Sequence, residues 1–218
     1  MTRLMQQVII FDYDGVIVDS LSIFMKFFFD ACKQYGYDNL ATKQEFLALF
    51  YGNMFEQMMV RGMDKNTILN FVSHIKKGLI THQQEIYLHP DIKPVLEKLA
   101  LHHKLIISTS NETSVVFEYL KLRKMDEIFE GIYGSDIEPS KVKKIKMIQN
   151  KVNENNFTYI GDTVGDIKEA KQANITSVAV TWGWHSKNVL SKAQPDHMVH
   201  HPMDLLSLFK ALSHLNVD

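Results

Sequence analysis

Val8-Ile9-Ile10-Phe11-Asp12-Tyr13-Asp14-Gly15-Val16-Ile17-Val18-Asp19-Ser20 decides how the rest of the chain is read. Val8 to Phe11 is an unbroken apolar run, which fits a strand covered on both faces, as in a parallel sheet. The run stops at two acids and a glycine. Residues two apart on an extended chain face the same side. Asp12 and Asp14 therefore stand together at the carboxyl end of that strand, where open α/β sheets bind their ligands. Two carboxylates so placed repel one another and hold raised pKa values unless a divalent cation or a proton intervenes. Taken alone, the run also fits an acidic turn capping the next helix, with Gly15 supplying a positive φ.

Working outward, four later segments resemble the first strand: Lys104 to Ser108, Gly131 to Tyr133, Phe157 to Ile160 and Ser177 to Val180. Helical patterns separate them, one carrying Val115, Val116, Tyr119, Leu120 and Leu122, the next Val142, Ile145 and Ile148 with Ser140 as its N-cap. Such alternation predicts right-handed βαβ units and a doubly wound, mostly parallel α/β sheet of the Rossmann type. Between about residue 18 and residue 88 the alternation fails. That stretch is rich in Phe and Met and helical in period. Leu21 to Tyr35 reads as a helix ending at Gly36, Lys43 to Phe50 as a second, Met54 to Val60 as a third, and Asn66 to Lys77 as a fourth, stopping at Gly78. The expected organisation is a core domain of residues 1–17 and 86–218 with a helical cap, residues 18–85, inserted after the first strand. Its Phe and Met residues form its own core, Gly15 to Val18 and Tyr87 to Pro90 contain the hinges, and His89-Pro90 marks the return to the sheet.

Three more constellations carry chemistry. Gly161-Asp162-Thr163-Val164-Gly165-Asp166 follows another apolar run, and a helical turn puts Asp162 and Asp166 on one face. Hard oxygen ligands in an α/β crevice suit Mg²⁺ held with waters and a substrate phosphate; Asp162 or Thr163 as a helix N-cap is the plainer alternative. Ser108-Thr109-Ser110-Asn111 offers hydroxyls and loop N–H groups to phosphate oxygens, or else a turn before the next helix. Lys141, at a loop–helix junction, would stabilise charge on a transferring phosphoryl group. Lys143, Lys144 and Lys146 read as a solvated helix face.

In this order, the four pieces resemble the haloacid dehalogenase superfamily of phosphotransferases. Asp12 and Asp14 match its DxD nucleophile and acid/base pair, Ser108 its second-motif hydroxyl, Lys141 its third-motif lysine, and Asp162 and Asp166 its terminal acidic motif; Thr109 and Lys143 are the neighbouring competitors. Val180-Thr181-Trp182-Gly183-Trp184-His185-Ser186 followed by Gln194-Pro195-Asp196-His197 is similar to the phosphoglycolate phosphatase branch. The resemblance implies a Mg²⁺-dependent phosphatase that hydrolyses a small phosphomonoester through an aspartyl-phosphate. Asp12 would attack phosphorus, and Asp14 would protonate the leaving alkoxide and then activate water. Asp12, the Asp14 backbone carbonyl and Asp162 would hold the metal, Asp166 would support, and Ser108, Thr109 and Lys141 would bind phosphate. Asp14 argues against dehalogenation, since the dehalogenase branch lacks it.

Two competitors share these residues. A phosphomutase of the beta-phosphoglucomutase type would need cap cations for a second phosphate, where the insertion offers Arg61 and scattered lysines. A phospho-accepting receiver module would lack the insertion and carry its acceptor on a later strand. Composition narrows the remainder. A formal net charge of −1 gives no global attraction to nucleic acid or an anionic membrane. No segment approaches the ~20 apolar residues of a membrane span, and Met1 to Gln7 does not read as a signal peptide. The lone Cys32 reads as a buried thiol in a reduced, cytoplasmic setting. The expected partner is a small phosphorylated metabolite, acted on by a monomer or homodimer. The pairs His102-His103 and His200-His201 read as surface or loop residues, and His185 as a candidate substrate contact.

Overall fold

A computed structural model describes residues 6–152 and 154–213; the N-terminal reading through Met5 lies outside the described residues. The opening strand β1 (Val8–Phe11) runs into a short antiparallel pair, β2 (Val18–Asp19) with β3 (Tyr87–Leu88). Between β2 and β3 lie helices α1 (Leu21–Tyr35), α2 (Lys43–Ala48), α3 (Met54–Val60) and α4 (Lys65–Thr81). The chain then alternates: α5 (Ile92–Ala100), β4 (Lys104–Ser108), α6 (Thr113–Leu122), β5 (Gly131–Tyr133), α7 (Lys141–Lys151) and β6 (Phe157–Gly161). It closes with α8 (Val164–Gln172), β7 (Thr176–Val180), α9 (Lys187–Lys192), β8 (His197–Val199) and α10 (Asp204–Leu212).

Strand order is β5-β4-β1-β6-β7-β8, and every pairing in this sheet is parallel. β1 is central, with Phe11 beside Ile107 of β4 and Ile160 of β6. Its four side chains are fully buried, as an apolar run without alternation requires. The direction of winding reverses beside β1, so the crevice at its carboxyl end is the switch point where doubly wound sheets hold ligands. β8 has no counterpart in the sequence reading: three residues, His-Met-Val, carry too little periodicity to register as a strand.

Two of the four insertion helices, α1 and α3, keep their expected limits, while α2 stops at Ala48 rather than Phe50 and the chain tightens into a 3-10 turn over Leu49–Tyr51. Gly36 closes α1 in the left-handed conformation, and the side chains of Thr42 and Asn53 cap α2 and α3. The fourth does not stop at Gly78 but continues to Thr81. Gly78 is there for another reason: a Cβ at this position would lie 2.2 Å from the Phe27 ring. The missing side chain allows α4 to pack closely on α1, a role that resembles a helix stop in sequence. Phe28, Phe46, Leu49, Met58 and Phe71 are fully buried in the insertion, and Cys32 is buried with them. Among the described residues no helix is long and apolar enough to cross a membrane.

Candidate active site

Backbone hydrogen bonding carries β1 one residue past its end, since Asp12 N donates to Ile160 O (2.9 Å). That fixes Asp12 at the mouth of the crevice. Its Oδ1 accepts from Tyr13 N (2.8 Å) and its Oδ2 from Lys141 Nζ (2.8 Å). Tyr13 between the acids is buried, its ring edge-on to Tyr119 at 5.7 Å. Asp14 Oδ2 accepts from Asn111 Nδ2 (2.5 Å). The chain then turns at Gly15, where φ is +75° and a Cβ would fall 2.0 Å from Asp162 Oδ2. Both the conformation and the close approach demand glycine.

β6 delivers the second pair of acids. Asp162 Oδ2 accepts from Trp184 N (2.6 Å), while its Oδ1 is buried without a partner. Thr163 caps α8 in a capping box with Asp166: Asp166 N donates to Thr163 Oγ1 (3.2 Å), and Asp166 Oδ2 accepts from Thr163 N (3.0 Å) and Oγ1 (2.6 Å). The other Asp166 oxygen accepts from Lys141 Nζ (2.6 Å). The cap and the acidic cluster are thus one structure, and Thr163 rather than Asp162 is the cap.

These contacts set the titration of each group. Burial raises the Asp12 carboxyl to about 7; Lys141 opposes this, and the charges of Asp166 and Asp14 add to it. Asp162 is driven well above the usual range by burial and by Asp166 and Asp12. Burial also raises Asp14, with Lys141 and the Asn111 amide pulling against it. For Asp166 burial acts in the same direction but loses to the Lys141 ammonium and the Thr163 donors, so its carboxyl is held low. Burial disfavours the Lys141 ammonium, yet Asp12 and Asp166 hold it charged.

The cluster suits a small divalent cation. Oxygens of Asp12, Asp162 and Asp166 lie within 4.8 Å of one another, one Asp162 oxygen has no partner, and Lys141 is the only cation in contact with these carboxylates among the described residues. Carboxylate oxygens are the donors a hard ion prefers. Both oxygens of Asp12 and of Asp166 are already engaged, so Asp162, with its unpartnered Oδ1, has the greatest freedom to ligate. The Asp14 side chain stands outside the trio, beside Asn111.

Ser108 is buried with its Oγ unpartnered, and its carbonyl accepts from Tyr159 Oη (3.3 Å). Thr109 Oγ1 accepts from Asn111 N (3.1 Å). Ser110, two residues beyond Ser108 in the same run, lines the cavity at Asp12. Lys143 is exposed and faces Glu138 at 3.9 Å. Lys144 departs from the expected solvated face: it is fully buried, donates to the Thr109 carbonyl, and is lowered to about 8 by burial and then by Lys141. His103 is buried rather than exposed, with Nδ1 accepting from Gln7 N (3.3 Å). His185 is buried too. Its Nδ1 accepts from Val164 N (3.0 Å), which leaves Nε2 to donate to Leu47 O (3.0 Å), so one ring nitrogen ties the loop after β7 to α8, the other joins the core to the insertion, and neither faces a substrate.

The insertion covers the acids. Phe24, Phe50 and Met54 close a cavity of about 40 Å³ over Asp12, Asp14 and Lys141. Trp184, on the loop after β7, completes that roof, its ring 4.8 Å from Phe50 and 5.3 Å from Phe24. Lys168 Nζ donates to Tyr51 O (2.9 Å) and Lys76 Nζ to Glu112 Oε1 (3.0 Å), binding insertion to core on either side.

A doubly wound sheet with two acidic pairs and a lysine gathered at its switch point defines a hydrolase of the α/β class. The chain belongs to the haloacid dehalogenase-like hydrolases, whose family profile matches residues 9–180. It is 24% identical over 203 residues to the phosphoglycolate phosphatase of Synechococcus elongatus, covering 92% of this chain and 95% of that protein. The solved structure of a haloacid dehalogenase-like family hydrolase from Streptococcus pneumoniae is 27% identical, with a TM-score of 0.73 over 94% of this chain and 98% of that one. A predicted phosphatase from Clostridium acetobutylicum shares the fold at a TM-score of 0.81 and 20% identity, over 97% of this chain and all of that one (100%).

Proposed function

We propose that the protein is a Mg²⁺-dependent phosphatase of the phosphoglycolate phosphatase-like kind, hydrolysing a small phosphomonoester through an aspartyl-phosphate on Asp12. The observation that carries this reading is the placement of Asp12 and Asp14 side by side, with Asp12 held by Lys141 and Asp14 held by Asn111. The two carboxyls thus have different partners and can take different roles. Asp12 attacks phosphorus while the bond to the leaving oxygen breaks; Asp14, raised by burial, gives that oxygen its proton. Water then attacks the aspartyl-phosphate, Asp14 takes the proton back, and phosphate departs with Asp12 restored. Lys141 keeps positive charge beside the nucleophile and, with the Ser108 to Ser110 loop, faces the transferring oxygens. Asp12, the Asp14 carbonyl and Asp162 would hold Mg²⁺, which would supply positive charge against the phosphoryl group.

The helical insertion, residues 18–85, acts as a cap. A cavity of about 40 Å³ has room for a few waters but not for a phosphoester, which is admitted when α1 to α4 lift away and enclosed when they return. The β2–β3 pair and the flanking Gly15 are the place for that hinge. The substrate is a small phosphorylated metabolite met in a cytoplasmic setting, with no part for nucleic acid or membrane.

Acid quench during turnover, followed by intact mass measurement and peptide mapping, tests the scheme. One added phosphoryl group on Asp12 is expected, absent in Asp12→Asn and absent after chelation until Mg²⁺ is restored. A label on another residue, or full activity in excess chelator, overturns it.

A further inference from the structure

The floor of the cavity is charged, but its roof is not. The insertion contributes Phe24, Phe50 and Met54, and the core contributes Trp184 and Ser110. Lys141 is the one cation among the described lining residues, and its ammonium is bonded to Asp12 and Asp166. Two cations of the insertion are engaged elsewhere, Arg61 Nη1 donating to Gln57 Oε1 (3.0 Å) with Glu45 3.5 Å from its Nε, and Lys76 meeting Glu112, and none of the insertion's other lysines lines the cavity. A second anionic group on the substrate would therefore sit against aromatic rings above four carboxylates with no counter-ion of its own, the most costly way to bury charge.

One polar group in the roof lacks a partner. The indole N–H of Trp184 has no acceptor although the residue is only 7% exposed. Buried donors almost always find an acceptor, and where the protein supplies none a ligand oxygen can. The backbone N of Trp184 is separately committed to Asp162, so the side chain can be altered without removing that bond.

We propose that the leaving group of the substrate is an uncharged alcohol or phenol, with an apolar body seated under Phe24, Phe50 and Met54 and a neutral oxygen accepting from the Trp184 indole. A carboxylated leaving group such as glycolate, and any second phosphate, are disfavoured by the same roof. This inference rests on the phosphatase reading and names the substrate class for that site.

Three alkyl phosphates of similar size and leaving-group basicity separate the possibilities: 2-methoxyethyl phosphate with a neutral oxygen, propyl phosphate without one, and 2-phosphoglycolate with a carboxylate. Expected values of kcat/KM put methoxyethyl phosphate about 10²-fold or more above phosphoglycolate. Trp184→Phe is expected to lower the ratio of methoxyethyl to propyl ester kcat/KM about tenfold, the worth of one neutral hydrogen bond, whatever common loss the altered packing brings to both. Met54→Arg, which adds a cation to the roof, is expected to raise the ratio of phosphoglycolate to methoxyethyl phosphate. Phosphoglycolate hydrolysed as fast as the neutral esters overturns the inference while leaving the phosphatase reading intact. Equal losses on both neutral esters in Trp184→Phe remove the indole contact. Failure of all three esters, with no phosphoryl label on Asp12, overturns both readings together. The wild-type comparison decides the charge question alone should either variant fold poorly.

Discussion

The floor and the roof of the cavity are built on opposite principles. On the floor almost every polar atom has a named partner: Lys141 bridges Asp12 and Asp166, Thr163 holds Asp166, Trp184 N holds Asp162, and Asn111 holds Asp14. The acids, Thr163 and Lys141 stand at the carboxyl ends of β1 and β6 or at the starts of α7 and α8, and Asn111 and Trp184 on the loops that leave β4 and β7, where the sheet leaves them little freedom. The roof is Phe, Met and Trp in edge-to-face contact, shaped by packing and held to the core by a few hydrogen bonds at its margins. Directional bonds locate charges to within tenths of an ångström, as chemistry requires. Apolar contact tolerates sliding and substitution, as a moving and selective surface requires. Changes to the floor should therefore strike turnover on every substrate, and changes to the roof should strike stability or selectivity.

The largest expected effect belongs to the floor. Asp14→Asn removes the proton donor but keeps the size of the side chain. Hydrolysis of an alkyl phosphate, whose leaving oxygen needs that proton, should fall about 10²–10⁴-fold. A nitrophenyl ester, whose leaving group needs no proton, should keep its first step, and phosphoenzyme should accumulate because water attack lacks its base. Rapid-quench measurement of both esters checks this. Equal losses in the first step would make Asp14 a structural residue and erase the division of labour between the two acids.

The floor was far more legible in sequence than the roof, and the reason is physical. Asp12, Asp14, Asp162 and Asp166 follow unbroken apolar runs, so both their strand and their place at its end are encoded locally. Ser110 and Asn111 belong to the run Ser108 to Asn111, but which member reaches the cavity depends on how the chain turns after β4, which local pattern does not fix. Lys144 reads as solvated in sequence because lysine usually is, and only the tertiary fold brings the Thr109 carbonyl to it. In the roof, Phe24, Phe50 and Met54 belong to a stretch in which nearly every helix carries Phe or Met. Period identifies the helices, but not which apolar side chain faces the acids. Trp184 lies in the insertion's shadow although it comes from the core, a long-range contact that no window of sequence contains.

A change in the roof's framework should have an intermediate effect. At Gly78, alanine is worth about 1 kcal/mol more than glycine in a helix interior. Its Cβ would also meet three atoms of the Phe27 ring at 2.2–2.6 Å. Phe27 is 8% exposed and its ring lies tilted against His82 at 4.9 Å, so it has little room to retreat. Overpacking typically costs about 1–3 kcal/mol, which outweighs the helical gain. Gly78→Ala should lower Tm by several degrees while leaving the rate of the aryl ester per folded molecule nearly unchanged. Gly78→Ala combined with Phe27→Leu should recover part of the loss, since the smaller side chain relieves the clash and the helical gain remains. Denaturant melts of the two variants decide it, and a stabilising single substitution would mean that α1 and α4 shift apart freely.

The smallest effect is expected where neither floor nor roof is touched. His103 precedes β4 at the amino end of the sheet, opposite the acids, its ring 5.6 Å from Phe209 and its Nδ1 accepting from Gln7 N. Burial, and then the neighbouring His102, lower its pKa from 6.5 to about 4. A lowered histidine pKa means that the unfolded chain binds a proton the folded chain refuses, so between about 6.5 and about 4 stability falls as pH falls. From pH 7 to pH 5 this single group should remove on the order of 1–2 kcal/mol. Buried His89 and His185, also lowered by burial, act in the same direction, as do carboxylates held low, such as Asp196. The total slope is therefore not diagnostic, but the difference between wild type and His103→Gln is. Glutamine can still accept from Gln7 N and does not titrate, so its urea midpoint should decline less over that interval, with the aryl ester rate at pH 7 unchanged. An identical decline in both proteins would mean that His103 accepts its proton in the folded state. A loss of activity at pH 7 would mean that the amino end of the sheet is coupled to the acids, and the contrast between floor and roof would then have to include the strands that connect them.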